Sequence, residues 1–201
     1  MRKPSSNAIA RSPRRERGRL RVAALLDAAG AVFADKGFDG ATMTEIAARA
    51  DAAIGSLYQF FPTKELLAEA VMTRDIAVLL ERLAAFEAAA ATWSPADLAD
   101  RLVLALVEFR ADHPGFAILL NATGVPAEKA AAAGRAVRAR VRAILAAGQG
   151  WPAERLDAAA VAVQQVMKGA VAVKAEADPI WPAALDELRT MLRLYLADRQ
   201  G

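Results

Sequence analysis

Side chains able to make or break covalent bonds are nearly missing from this chain. Its 201 residues include one histidine, His113, and no cysteine. Neither a Cys/His nucleophile pair nor a multi-histidine zinc site can be assembled from that set. The carboxylates show no paired-acid spacing, and no phosphate-cradling G-x-x-x-x-G-K-[ST] or G-x-G-x-x-G string occurs. No catalytic residue, metal site or cofactor is therefore expected, and an enzyme is disfavoured. His113 precedes Pro114 at the end of an apolar period, so a boundary or capping role is expected for it. What remains is recognition chemistry, by hydrogen bonds and apolar contact. Hydroxyl, amide and ammonium groups able to do this occur along the chain, and which of them can act together depends on the elements that carry them.

The elements that must position these groups are helical. Val22, Leu25, Leu26, Ala29 and Phe33 recur at three- and four-residue steps, so a helix with one buried face starts near Arg19. Lys36 and Gly37 suit its C-terminal end. Thr42, three residues before Glu45, predicts a capping box and a second helix reaching about Ala50. Asp51-Ala52-Ala53 is a short break before a third helix over Ile54–Phe60, with Leu57 and Phe61 directed to the core. Pro62 interrupts, and Thr63 caps a long fourth helix to about Ala91. Ser94-Pro95 opens a fifth that ends at His113-Pro114-Gly115. A short helix follows around Phe116–Asn121, and further helices are expected over 127–147, 153–176 and 182–198. Three short helices whose last two are joined by a tight turn are the minimum device for placing side chains in a DNA major groove.

Composition agrees with an all-α fold of about nine helices. Apolar residues make up 55% of the chain, and many are alanine, in blocks such as Ala88–Ala91 and Ala130–Ala133. No apolar run approaches the ~18 residues of a membrane span, so a cytoplasmic protein without membrane partners is expected. Charge is uneven. Residues 1–64 hold eleven Lys/Arg against six Asp/Glu, a net of +5, whereas the remaining 137 hold fifteen against seventeen, a net of −2. The positive end could approach a polyanion. The expected organisation is a flexible basic arm at 1–18, a helix-turn-helix head at 19–64, and a helical body at 65–201.

The head resembles the Tet repressor family of bacterial transcription regulators. The resemblance runs from Arg19 to Leu67 through Leu26-Asp27-Ala28-Ala29, Phe33, Lys36-Gly37-Phe38, Thr42 with Glu45-Ile46-Ala47, and Ile54-Gly55-Ser56-Leu57-Tyr58-Gln59-Phe60-Phe61-Pro62-Thr63-Lys64-Glu65-Leu66. It implies a homodimer on two-fold, double-stranded operator DNA, a bacterial location at the nucleoid when bound, and a C-terminal domain that answers a small-molecule effector. It places DNA contacts at Thr42, Thr44, Ala53, Ile54, Gly55, Ser56, Tyr58, Gln59 and Lys64. Gly55 permits close approach, Ser56 and Gln59 can bond base edges or phosphates, and Tyr58 can reach a phosphate. Thr42 and Lys64 stand at helix N-termini, where an anion is favoured. Three positions depart from the family pattern. Asp51 replaces the usual left-handed glycine, a conformation Asp tolerates; Ala53 and Ile54 stand where many relatives carry hydroxyl or basic groups, and Ile54 offers only apolar contact.

In the body, Leu156, Ala160, Gly169, Leu185, Leu188, Leu192, Tyr195 and Leu196 form the expected dimer face, as stripes on the last two helices. Phe86, Leu106, Phe109, Arg110, Phe116, Leu120, Asn121, Val163, Gln164 and Met167 are the expected lining of an effector pocket. Arg135, Arg138 and Arg142 share a helix face and are expected to be solvated. The reading these features favour is a repressor released from its operator by an apolar or amphipathic effector. Alternatives are an activator, a regulator controlled by a protein partner, or a helical binding or scaffold protein whose head no longer reads an operator.

Overall fold

The computed structural model describes residues 13–122, 124–175 and 179–198. Among them are nine α-helices and no strand, in the order α1 (Pro13–Gly40), α2 (Met43–Arg49), α3 (Ile54–Phe60), α4 (Lys64–Ala89), α5 (Pro95–Asp112), α6 (Pro114–Leu120), α7 (Ala127–Gln149), α8 (Ala153–Ala175) and α9 (Trp181–Ala197). The first helix begins at Pro13, so residues 13–18 are helical and not the flexible arm expected there; residues 1–12 lie outside the described residues. Proline fits that first turn because its missing N–H has no helical partner to lose. Gly37, at φ 73°, breaks α1 in the left-handed region, and one further turn reaches Gly40.

Local signals set the ends. Thr63 Oγ1 accepts from Leu66 N (3.3 Å) to start α4, and Ser94 Oγ accepts from Asp97 N (3.1 Å) with Pro95 behind it to start α5. Each cap satisfies a backbone donor that the helix itself leaves open.

Two apolar cores result. Leu25, Phe33, Ile46 and Leu57 centre the core of the first three helices, and Leu67, Ala68, Val71 and Met72 from the first half of α4 complete it. Leu79 and Leu83 from the second half of α4 join α5, α7, α8 and α9 in the other. The division between the two therefore falls within α4. Phe116 of α6 is buried in the second core, and Leu119, three residues on, in the first. This short helix is the wedge between head and body.

Candidate nucleic-acid interface and cavity

The polar groups of the head are held by α2, its turn and α3. Thr42 Oγ1 accepts from Glu45 N at 3.3 Å while Glu45 Oε2 accepts from Thr42 N at 3.2 Å, the reciprocal box expected from their spacing. Glu45 also pairs with Lys36, and that bond, followed by the one to Thr42, holds its carboxyl below the ordinary glutamate range. Asp51 has φ 49°, so it does adopt the left-handed turn in place of glycine. Leu57 is fully buried and anchors α3, and Phe61 packs against the same core. The opposite face of α3 is open: Ile54, Gly55, Tyr58, Gln59 and Phe60 are exposed, as are Thr42, Thr44 and Ala53. A Cβ added at Gly55 would meet nothing, which leaves that backbone approachable. Tyr58 and its neighbours form an amphipathic rim of one phenol, one amide and two apolar groups, suited to stacking and bonding against an external surface.

Two residues of the head differ in role from the reading of the sequence. Lys64 is not a free cation at a helix start. Its Nζ donates to the carbonyls of Phe38 (2.7 Å), Ala41 (3.0 Å) and Asp39 (3.3 Å), and lies 4.6 Å from the Phe38 ring centroid. The three N–H donors of an ammonium are thereby occupied, and Lys64 closes the end of α1 instead of facing a phosphate. Conversely, Arg21 carries no expected role in the sequence, yet its NH1 donates to Ser56 Oγ at 3.3 Å and so places a cation beside α3. Arg17 and Arg21, one helical turn apart, are the sequence signal for a basic edge on α1.

In the body, a cavity of about 390 Å³ opens between α4, α5, α6, α7 and α8. Leu106, Arg110, Phe116 and Leu120 line it, together with Asn121, Gln164 and Met167. Phe86, Phe109 and Val163 do not. Phe109 and Val163 are fully buried in the surrounding core, and Phe86 packs edge-on against Trp93 at 5.3 Å between centroids. Lys168, a possible polar anchor from the sequence, also lines it, and the missed wall is Ala130, Ala133 and Gly134 of α7 with Ile76 and Val171. The alanine block reads in the sequence as a helix former; in three dimensions its small side chains also leave room for the cavity.

Polar groups on the lining are unequal. Gln164 donates to Gly134 O (2.8 Å) and accepts from Arg138 Nε (3.2 Å), and Asn121 donates to Ala117 O (3.2 Å). Arg110 Nε is buried with no hydrogen-bond partner, and burial lowers the pKa of that guanidinium. The other arginines noted on α7 are paired as well, Arg135 with Glu128 and Arg142 with Asp157, so they are a bridged surface and not a free basic stripe.

Contact between body and head runs through α6. A Cβ on Gly115 would stand 2.3 Å from the carbonyl oxygen of Gly30, so only glycine lets α6 lie this close to α1. His113 is the boundary residue between α5 and α6, as expected, and it does more. Its ring stacks on Phe109 (4.7 Å), and Nδ1 stands 3.2 Å from Oδ1 of the buried Asp75. Arg74 bridges Asp75 (2.8 Å) to Asp27 of α1 (2.6 Å), which extends the polar chain from body to head.

The dimer face also needs correction. Leu156, Ala160, Leu192 and Leu196 are buried inside the chain's own core, and Leu185 and Leu188 pack against it. The four buried side chains have no area left for another protomer, whereas Leu185 and Leu188 keep part of theirs. The outward stripe of α9 carries Glu187, Met191 (60% exposed), Leu194 (69%) and Tyr195, with Val161 exposed on α8. Gly169 is half-buried, with open space where a Cβ would point.

Among the described residues no helix is long and apolar enough to cross a membrane. Comparison with known proteins matches residues 25–71 to a model described as bacterial regulatory proteins, tetR family, and residues 94–196 to one described as tetracyclin repressor-like, C-terminal domain. Among solved structures, the fold is similar to the transcriptional regulator FadR from Bacillus subtilis in complex with stearoyl-CoA. That match has TM-score 0.70 and 17% identity, over 89% of this chain and 99% of that one. A TetR-like regulator from Rhodococcus sp. RHA1 gives 0.66 and 23%, over 93% and 99%. The multidrug binding protein EbrR complexed with imidazole gives 0.62 and 21%, over 90% and 97%. No curated protein matches the chain.

Proposed function

We propose, from the premise that this chain belongs to the tetR family of bacterial regulatory proteins, how its particular residues serve a ligand-responsive DNA-binding transcription regulator. The observation that carries the reading is α3: one buried leucine fixes it, Ile54, Tyr58, Gln59 and Phe60 are exposed, and the Arg21 guanidinium bonds to Ser56. Ile54, Ser56, Tyr58 and Gln59 would read or brace a major groove, with Gly55 allowing close approach. Thr42, Thr44 and Ala53 would meet the flanking backbone, with Arg21 in the electrostatic part first assigned to Lys64. Two copies joined through the outward stripe of α9 would present two such helices to a two-fold site.

Control would come from the cavity. An apolar or amphipathic effector bound against Phe116 and Leu120 favours one position of α6. Through Gly115 and Leu119 that position is felt by α1 and the head core. Only a difference in effector affinity between the two arrangements can shift the equilibrium. The complexes of similar folds with stearoyl-CoA in one protein and imidazole in another support a cavity whose contents differ from member to member. Repression released by effector is the favoured mode of action, in the bacterial cytoplasm and without catalysis.

The test is a mobility-shift titration on the DNA flanking the chain's own gene, across salt concentrations. Affinity should fall steeply as salt rises, because phosphate contacts release counterions. A Tyr58→Ala/Gln59→Ala variant should keep its helix content and lose most operator affinity. Wild-type affinity in the double variant would overturn the assignment of α3.

A further inference from the structure

We propose that the effector cavity selects an organic monoanion, a carboxylate on an apolar body, with Arg110 as the anchor for the charge. The inference rests on the effector reading above and adds the chemical class.

Arg110 lies on α5 with its Nε buried in the cavity wall, and no carboxylate or carbonyl among the described residues pairs with its guanidinium. Arg110 is half-buried, and a guanidinium drawn partly out of water with no anion beside it is costly. The displaced ionisation of this arginine has burial as its cause, with no compensating anion. The rest of the lining points the same way. Among the described residues of the lining the charged ones are Arg110 and Lys168, both cationic, with no Asp or Glu. Lys168 is exposed. The amides of Gln164 and Asn121 are committed to Gly134, Arg138 and Ala117, so they offer little to a neutral polar ligand. The remaining surface is apolar, from Leu106, Phe116, Leu120 and Met167 among others.

A carboxylate would meet the guanidinium in its two-pronged geometry, and the apolar body would cover those side chains. One arginine balances one negative charge. A dianion would carry a second charge into a wall whose other cation, Lys168, is exposed, which the desolvation cost disfavours.

The probes are decanoate, its neutral counterpart decanamide, the cation decylammonium and the dianion decyl phosphate, with binding followed by calorimetry and by release of operator DNA. Decanoate should bind roughly tenfold to a hundredfold more tightly than decanamide, the range expected of a buried charge-assisted bond, and decylammonium should bind most weakly. Arg110→Met should reduce decanoate to the affinity of decanamide. Because it removes an unpaired, half-buried charge, the unliganded variant should unfold at the same or a higher temperature than wild type. Arg110→Lys should restore part of the preference for the anion and covers the case in which the methionine variant misfolds. Equal affinity for amide and carboxylate, tighter binding of the cation or of decyl phosphate, or no binding of decanoate would overturn the proposal. Decanoate bound through Arg110 without any change in operator affinity would leave the anion site standing and count against the effector reading.

Discussion

At the scale of single residues, lysine at position 64 shows how one side chain can carry two incompatible readings. By its place after Thr63 it is a cation at a helix start; by its bonds it is the tie that closes α1 over Phe38, Asp39 and Ala41. Lys64→Met keeps the stem and removes the donors, leaving those carbonyls to find other partners. A loss of about 1–3 kcal/mol is expected, the range for bonds to a charged donor, read as a lower midpoint in thermal unfolding. The operator affinity of the folded fraction should change far less than in the Tyr58/Gln59 variant. Nothing in the local sequence distinguishes the two roles, because the three carbonyls lie more than twenty residues away. Thr42 is the opposite case. Its box with Glu45 is closed within four residues and was legible from spacing alone.

Among the elements, α6 matters more than its seven residues suggest. It lines the cavity with Phe116 and Leu120, and it touches α1 through a glycine whose next carbon would collide with Gly30. Gly115→Ala must push α1 and α6 apart, since the atom in the way is backbone and cannot rotate aside. Overpacking of this kind costs roughly 1–3 kcal/mol. The expected outcome is a lower unfolding temperature together with altered operator affinity in the absence of effector, measured on the same preparation. The join of α5 to α9 makes a separate prediction. Arg193 and then Arg189 bond to Asp100 and lower its pKa to about 2. The folded value lies below the ~3.9 of an unfolded aspartate. The network therefore stabilises the fold above about pH 4, and the benefit is lost as pH falls from there towards 2. Unfolding midpoints of wild type and Asp100→Asn should differ at neutral pH and converge in that acid window. The gap should be modest, since each surface pair contributes about 1 kcal/mol or less.

For the whole molecule, the proposal that two copies join through the outward stripe of α9 implies that this stripe sets the spacing of two heads on DNA. A single chain that shows Met191 and Leu194 to water, on a helix otherwise packed on α5 and α8, has an unpartnered apolar face. Leu194→Glu should convert the dimer to monomer in light scattering behind size exclusion, with helix content unchanged. Operator affinity should fall with it, because the second recognition helix is lost. Leu192→Glu, by contrast, should unfold the chain, since that side chain is buried within the protomer. The two outcomes separate a face between copies from a face inside one.

Helix identity, order and approximate ends were determined by the sequence itself, because caps, prolines and the three- and four-residue apolar period act over a few neighbouring positions. The head motif was legible for the same reason: Thr42, Asp51, Leu57 and Tyr58 do their work within a short contiguous stretch. Partners across the fold were decided only by tertiary structure. Which stripe of α9 is inner and which outer, that Arg110 has no counter-charge among the described residues, that Lys64 is occupied, and that an alanine block bounds a cavity all depend on how distant helices pack. An amphipathic period says that a face is buried; it carries no information about what covers it.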